Sequence, residues 1–149
     1  MNYLNRVMRL QARPIACACL LFASSAFAAD KNAVYEDVRA LIAAGDAAGA
    51  YELLLQYEVE WSGDADYDYL FGIAALDSGE VSEAIFSLQR VVAARPTFSG
   101  GRLELARAYF DIGDNELARQ EFTRILSENP PPNVAAATND YLDAIEARA

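Results

Sequence analysis

Apolar residues recur at helical spacing along most of the chain, and glycine or proline interrupts them at regular points. Four of them share one face of a first helix because they are separated by four, three and one positions: Val34, Val38, Leu41 and Ile42. Gly45 ends that helix, since glycine tolerates the positive φ found just past a helix C-terminus. Ala, Leu, Glu and Arg, all strong helix formers, fill the segments between breaks. The pattern predicts an all-α chain.

The same alternation of segment and break predicts six further helices. Asp46 is expected to cap the second helix, which continues to about Glu60 and carries Tyr51, Leu54, Leu55 and Tyr57. The next four are predicted at 65–78, 81–94, 99–112 and 115–128, with breaks at Gly79, Pro96, Gly113 and Pro130. Proline can open a helix but not sit inside one, so the last helix is expected at 133–148, after the triple proline. It would carry Val134, Tyr141, Leu142 and Ile145 on one side.

A fixed interval separates three Gly-acid pairs. Gly45-Asp46, Gly79-Glu80 and Gly113-Asp114 are 34 residues apart. An alanine follows each glycine five residues later, at Ala50, Ala84 and Ala118. A period of this size indicates stacked copies of one small unit, and such arrays present binding surfaces more often than active sites.

These positions resemble the tetratricopeptide repeat (TPR) family, whose 34-residue unit is a helix-turn-helix. We start the units at Lys31, Ala65 and Ser99. The small residue of the family's first helix then corresponds to Gly72 and Ala106, and the turn glycine to Gly45, Gly79 and Gly113. In the second helix, the small residue corresponds to Ala50, Ala84 and Ala118, and the large apolar residue that follows it to Leu54, Leu88 and Phe122. The closing proline corresponds to Pro96 and Pro130.

The chain also departs from the family pattern. The aromatic residue near the start of the first helix is replaced by Val34, Asp68 and Arg102, and the tyrosine of that helix survives only as Tyr109. The first unit is the weakest match, with Val38 at the small position and Ser62 in place of the proline.

The resemblance implies a right-handed superhelix of three stacked TPR-like helix-turn-helix repeats, at 31–64, 65–98 and 99–132. The array would occupy 29–130, and a C-terminal capping helix would occupy 131–149. The alternative for that last helix is a connector to a further segment.

The first 28 residues have the pattern of a secretory signal peptide. Three arginines form a positive leader, 15–27 is mostly apolar, and Ala26 and Ala28 are small residues placed for cleavage. The apolar run is shorter than the about 20 residues of a membrane span. We therefore predict export to the periplasm with cleavage after Ala28, and association with the outer membrane as a further expectation. An uncleaved anchor is the alternative.

Cleavage would sharpen the charge balance. It removes three of the 12 basic residues and none of the 22 acidic ones, which leaves a net charge of −13. Such a surface repels nucleic acid, so no nucleic-acid partner is expected. Both cysteines, at 17 and 19, leave with the signal, and the chain has no histidine. The usual bases, thiol nucleophiles and zinc ligands are therefore missing, and no enzyme activity, metal or cofactor is predicted.

In TPR proteins the first helix of each unit lines a concave groove where a peptide or partner helix docks. Carrying those positions over gives a candidate partner-binding groove of Tyr35, Arg39, Tyr69, Ile73, Leu103, Arg107, Phe110 and Asp111, with Ile42, Leu76 and Asp77 nearby. Aromatic residues and arginine are typical interface anchors. The family's carboxylate clamp is not supported, because its positions hold Tyr35, Tyr69, Leu103 and Glu104.

Two other features have structural interpretations. Asp64, Asp66 and Asp68 begin like a calcium loop, but the sixth and twelfth positions are Tyr69 and Ala75, so they are expected to favour a helix N-terminus instead. Trp61 is expected to be buried between the first and second units.

We predict an exported, non-catalytic TPR-like scaffold that binds a protein or peptide partner in its concave groove, in periplasmic or envelope protein assembly. Two alternatives remain. The run from Tyr67 to Ile145 resembles the N-terminal TPR portion of outer-membrane β-barrel proteins of the surface lipoprotein assembly modifier type, in which the repeats precede a barrel that exports lipoproteins. The chain would then be a truncated or split part of such a system. The lesser alternative is a hydrolase that uses two carboxylates.

Overall fold

The computed structural model describes residues 30–148, in which the chain forms eight helices and no strand. The helices are α1 Lys31–Ala43, α2 Ala47–Leu55, α3 Glu58–Trp61, α4 Ala65–Ser78, α5 Val81–Ala94, α6 Ser99–Asp111, α7 Asn115–Ser127 and α8 Pro132–Ala147. The all-α fold is confirmed. The predicted signal peptide, 1–28, lies outside the described residues. Within 30–148, none of the helices has both the length and the apolarity needed to cross a membrane.

Aspartate side chains begin several helices. The carboxylates of Asp30, Asp46, Asp64 and Asp114 accept hydrogen bonds from backbone N–H groups in the first turns of α1, α2, α4 and α7. Asp46 therefore caps α2 as predicted. At the C-terminus of α4, Gly79 has φ +96°, which lets the N–H of Glu80 return to the carbonyl of Ala75 and close the helix.

The second helix is shorter than predicted. It ends at Leu55, and after two residues a separate turn of helix, α3, brings Trp61 inward. The break falls at Tyr57, whose φ of −113° is not helical and whose ring stacks on Trp61 with centroids 4.1 Å apart. Trp61 is only 7% exposed and meets Tyr35 and Tyr67 edge-on. Its predicted burial between α1 and α4 is confirmed, and aromatic packing explains the break.

The helices stack in two layers. We call α1, α4 and α6 the inner layer, in which successive helices contact one another directly. We call α2, α5 and α7 the outer layer, whose helices pack mainly against the inner helices of their own and the next hairpin. Closer spacing within the inner layer bends the stack toward it, so the inner layer forms the concave side.

Small residues let the two layers approach closely. A Cβ added to Gly72 on α4 would lie 2.6 Å from the Cγ of Leu88 on α5, closer than packed atoms allow. Ala50, Ala84 and Ala118 are fully buried at equivalent points of the outer helices. The 34-residue pattern of small residues therefore reports real helix crossings.

Two ion pairs, each with its inner member buried, involve the position where the TPR pattern has an aromatic residue. Asp68 on α4 is fully buried, and Nε and Nη2 of Arg90 on α5 donate to its two oxygens at 2.9 and 2.7 Å. One repeat later, Arg102 on α6 is 1% exposed and donates to Glu121 on α7 at 2.7 Å. The two pairs join equivalent helices with the charges exchanged. The sequence analysis assigned Asp68 to the N-terminus of α4. The structure shows that role and a second one: Asp68 lies in the first turn of α4, accepts from the N–H of Gly63 at 3.3 Å, and also joins the pair with Arg90.

The last helix covers the end of the array. α8 packs on α6 and α7 through Val134, Thr138, Tyr141, Leu142 and Ile145. Thr138 is the buried residue that the apolar pattern missed, and its hydroxyl is satisfied by the carbonyl of Val134 at 2.8 Å. Asn139, Asp140 and Asp143 are exposed on the other side. A polar outer side is what ends a helical array, so α8 fits the capping role.

The pair with the buried carboxylate should stabilise the fold more than its exposed counterpart. We expect Asp68→Asn to lower the free energy of unfolding by about 1 to 3 kcal/mol, because it sets a buried amide N–H group against the donors of Arg90, whose side chain is itself 44% exposed. Asp66→Asn is the matched control: Asp66 makes an ion pair of the same 2.7 Å length with Arg95, but both side chains are about half exposed. It should cost less than about 1 kcal/mol. Urea unfolding of both variants measures the difference, and equal losses would contradict the argument.

Candidate partner-binding surface

Equivalent repeat positions line the inner layer. Tyr35, Tyr69 and Leu103 occupy one such position on α1, α4 and α6, and Arg39, Ile73 and Arg107 occupy the next turn. Because these helices are adjacent, the structure brings the predicted residues onto one face of the stack. Most of them, however, also contact other parts of the chain.

At the α1 end, one predicted anchor is buried and one is exposed. Tyr35 is 6% exposed, and its ring meets Trp61 edge-on at 5.8 Å. Arg39 is exposed and donates to Glu36 at 2.8 Å. Tyr35 therefore acts mainly in packing, whereas Arg39 is accessible.

In the middle of the face, the predicted residues are half-buried. Tyr69 packs edge-on against Phe98, with ring centroids 4.9 Å apart. Burial raises the pKa of Tyr69, and the negative charge of Glu104 raises it further. Ile73 and Leu103 are also partly exposed. This part of the face offers an apolar floor with one phenol.

An arginine bridges two carboxylates beside that floor. Arg107 donates through Nη2 to Asp77 on α4 at 2.9 Å and through Nη1 to Glu104 on its own helix. Burial raises the pKa of Glu104, although the adjacent guanidinium of Arg107 opposes the shift. The bridge fixes α6 against α4 and leaves the group with one net negative charge.

The α8 end of the face is partly covered. Phe110 is 8% exposed, lies edge-on to Tyr141 at 5.2 Å, and has the guanidinium carbon of Arg148 3.8 Å from its ring centroid. Asp111 beside it is exposed. Asp111 occupies the repeat position of Asp77, but the position of Arg107 in the next helix is Tyr141, so the bridging contact is not repeated.

Side-chain contacts thus divide the eight predicted residues. Tyr35 and Phe110 are buried in packing, Tyr69, Ile73, Leu103 and Arg107 are partly accessible, and Arg39 and Asp111 are exposed. The sequence analysis missed Glu104 as a member of the bridge, although its i,i+3 spacing from Arg107 could have indicated it. Nothing in the repeat spacing could have shown that Arg148 reaches Phe110.

The three aspartates that resemble the start of a calcium loop, Asp64, Asp66 and Asp68, each form an ion pair with a different basic residue. Asp64 caps α4 and pairs with Lys31 at 3.0 Å, Asp66 pairs with Arg95, and Asp68 pairs with Arg90. The positive charges of Lys31 and Arg95, acting through these hydrogen bonds, lower the pKa of Asp64 and Asp66 respectively. Each carboxylate is therefore used in helix capping or helix pairing.

Stacked helix pairs with a concave inner layer define an α-solenoid. Residues 75–141 match the family model for the tetratricopeptide repeat. The Sgt2 TPR domain from Aspergillus fumigatus superposes with a TM-score of 0.66, at 17% identity over 77% of this chain and 78% of that chain. The first TPR of Spaghetti (RPAP3), bound to the HSP90 peptide SRMEEVD, gives 0.67 at 14% identity over 78% and 90%. The chain therefore carries tetratricopeptide repeat sequence at 75–141 and has the fold of TPR domains.

A curated relative matches over part of its length. It is the surface lipoprotein assembly modifier of Moraxella catarrhalis, 29% identical over 80 residues. The match covers 54% of this chain but only 16% of the relative. The resemblance is therefore to one short portion of a much longer protein.

The buried carboxyl group of Glu104 should give a recognisable pH dependence. Its pKa is raised above the ordinary 4.5 in the folded state, so its ionisation weakens the fold as pH rises above about 4.5. We expect the stability of Glu104→Gln relative to the wild type to increase from pH 4.5 toward pH 7. Urea unfolding at several pH values measures this, with the exposed Glu52→Gln as the control for losing one carboxylate. A difference that falls with pH would contradict the assignment.

Proposed function

We propose that this chain is a non-catalytic scaffold that binds a protein or peptide partner along its inner layer. The partner would lie across α1, α4 and α6 and contact the accessible residues, which are Arg39, Tyr69, Ile73, Leu103, Arg107 and Asp111. Tyr35 and Phe110 would support these residues from beneath. No cofactor is required for this role.

The observation that carries the proposal is the register of the inner layer. Partly exposed aromatic, aliphatic and charged side chains recur at equivalent positions of adjacent helices, and the Arg107 bridge to Asp77 holds two of these helices together. A surface fixed in this way needs little reordering when a ligand binds, which lowers the entropic cost of association. The Spaghetti repeat binds its HSP90 peptide on the same fold. At 14% identity, that likeness supports the fold and not the identity of the ligand.

The cellular setting that we propose is the periplasm. The leader arginines, apolar run and small residues before position 29 support export, as does the relative named for surface lipoprotein assembly. The partner is then an envelope protein, and association with the outer membrane follows from the same relative.

A second candidate is a role within an outer-membrane lipoprotein-export system. The resemblance to the Moraxella catarrhalis protein over 80 residues favours it. Co-purification of the tagged chain with the components of such a system would support this candidate over a general periplasmic scaffold.

A carboxylate hydrolase is the lesser alternative. Glu104 and Asp77 form the natural pair to consider, since the pKa of Glu104 is raised. A hydrolase would need one carboxyl group protonated as the acid and the other ionised as the base. Both groups are hydrogen bonded to the same guanidinium, which favours the ionised form of each. Hydrolysis of peptidoglycan or oligosaccharide by the purified chain would restore this alternative.

Loss of inner-layer side chains should release the partner. We expect the double variant Tyr69→Ala/Arg107→Ala to weaken binding at least tenfold, about 1.4 kcal/mol, because it removes an aromatic anchor and a cation from the floor of the face. Quantitative mass spectrometry of proteins that co-purify with the tagged chain identifies the partner, and titration measures its affinity. Tyr109→Ala/Arg119→Ala is the matched control, since Tyr109 faces Gln89 on α5 and Arg119 lies on α7.

The exposed Asp111→Arg adds a variant that disturbs no buried contact, with Glu116→Arg on α7 as its control. Partners retained by both inner-layer variants would contradict the proposed surface.

Export makes a separate prediction. The chain recovered from the periplasmic fraction should begin at Ala29, and a charged residue at the cleavage site, Ala28→Asp, should leave the precursor uncut. Intact-mass spectrometry of fractionated cells distinguishes the forms. Recovery of the full-length chain from the cytoplasm alone would contradict export.

A further inference from the structure

Large apolar side chains are exposed on the outer helices α2 and α5 and on the short helix α3 that follows α2. Phe86 on α5 is 66% exposed, Val59 on α3 is fully exposed, and Leu55 at the end of α2 is 39% exposed. We call these three residues the outer patch. The sequence pattern counted Leu55 with the apolar residues of its helix, but α2 packs through Ala50 and Leu54, so Leu55 is turned outward.

A hydrogen bond between α2 and α5 fixes where the patch residues lie. The hydroxyl of Tyr51 on α2 donates to Glu83 on α5. Leu55 is one helical turn beyond Tyr51, and Phe86 is one turn beyond Glu83. Both helices pair with α4, which runs in the opposite direction between them, so α2 and α5 point the same way. Leu55 and Phe86 therefore lie on the same side of this hydrogen bond, each one helical turn beyond it.

Uncompensated carboxylates lie near the same hydrogen bond. Glu83 is hydrogen bonded to Tyr51, Glu80 is three residues before Glu83 at the start of α5, and Glu58 is three residues after Leu55. The hydrogen bond to Glu83 and the negative charges of Glu80 and Glu58 raise the pKa of Tyr51. All three are exposed, and no lysine or arginine nitrogen in the described part of the chain lies within 4.0 Å of them. The nearby Arg90 is held by Asp68.

The charge around the patch decides between possible occupants. In residues 30–148, nine of the 22 carboxylates lie in ion pairs, so 13 have no basic partner. A second copy of this chain or an anionic lipid surface would bring more negative charge to a negative border and be repelled. A segment that carries lysine or arginine beside apolar side chains would cover the exposed apolar side chains and pair with the carboxylates.

We propose that the outer patch is a second docking surface, which binds a cationic amphipathic segment of another protein. Its apolar side chains cover Phe86 and Leu55, and its basic side chains meet Glu58 and Glu80. This surface is on the opposite layer from the proposed partner-binding surface, so its test does not depend on that proposal. A chain with both surfaces could hold two partners at once.

A pair of synthetic peptides tests the proposal. One is an amphipathic helix of leucine and lysine with a fluorescent label, and the other has glutamate at every lysine position. Fluorescence anisotropy against the full chain should show binding of the lysine peptide only, weakening as sodium chloride is raised. Leu55→Ser/Phe86→Ser should weaken that binding about tenfold, since buried aromatic anchors carry much of the affinity at interfaces. Glu58→Gln/Glu80→Gln should weaken it severalfold and reduce the salt dependence.

Two controls separate the patch from general attraction to an acidic protein. Ile112→Ser removes an apolar side chain that is 54% exposed at the end of α6, away from the patch. Tyr69→Ala/Arg107→Ala alters the inner layer. Both should bind the lysine peptide as the wild type does.

Three results would overturn the proposal: no binding of the lysine peptide, equal loss in a control variant, or equal binding of the glutamate peptide. A fourth is a concentration-dependent dimer, seen by sedimentation, that Phe86→Ser abolishes, because the occupant would then be a second copy.

Discussion

Close approach between the two helices of each hairpin is the constraint on which the remaining structure depends. Gly72 leaves no room for a Cβ beside Leu88, and buried alanines serve the same purpose on α2, α5 and α7. Because the crossings repeat every 34 residues, equivalent side chains arrive at equivalent points of adjacent helices. The register of the inner layer, and therefore any surface built on it, follows from these small residues.

Ion pairs replace an apolar packing residue of the TPR pattern at one position of the second and third repeats. Asp68 and Arg102 stand where the TPR pattern has an aromatic residue, and each pairs with the other helix of its hairpin. The carboxylate is on the first helix in the Asp68–Arg90 pair and on the second helix in the Arg102–Glu121 pair. A buried pair is often no more stable than an apolar replacement, but it strongly disfavours a misaligned partner, since one shifted hairpin would leave charges unpaired. Each of these pairs uses one carboxylate as well as one arginine, so the excess of carboxylates in the sequence remains on the surface.

The inner and outer layers therefore differ in chemistry as well as curvature. The inner layer combines Tyr69, Ile73 and the Arg107 bridge in a half-buried, polar and apolar floor. The outer layer exposes Phe86 and Leu55 within a negative border. A scaffold of this shape can gather partners on two sides without moving, because both surfaces are carried by the same rigid helix crossings.

The sequence by itself determined the all-α fold, the bounds of α4 and α5, and the repeat, because helical periodicity and the glycine breaks are local signals. It also placed Tyr69 and Arg107 on one face, since equivalent repeat positions must align in a stack. Only the tertiary structure decided what those residues touch. Phe110 lies under Tyr141 and Arg148, Asp68 reaches Arg90, and Leu55 faces outward. These outcomes depend on contacts between residues distant in the chain, and no spacing along one helix can specify them.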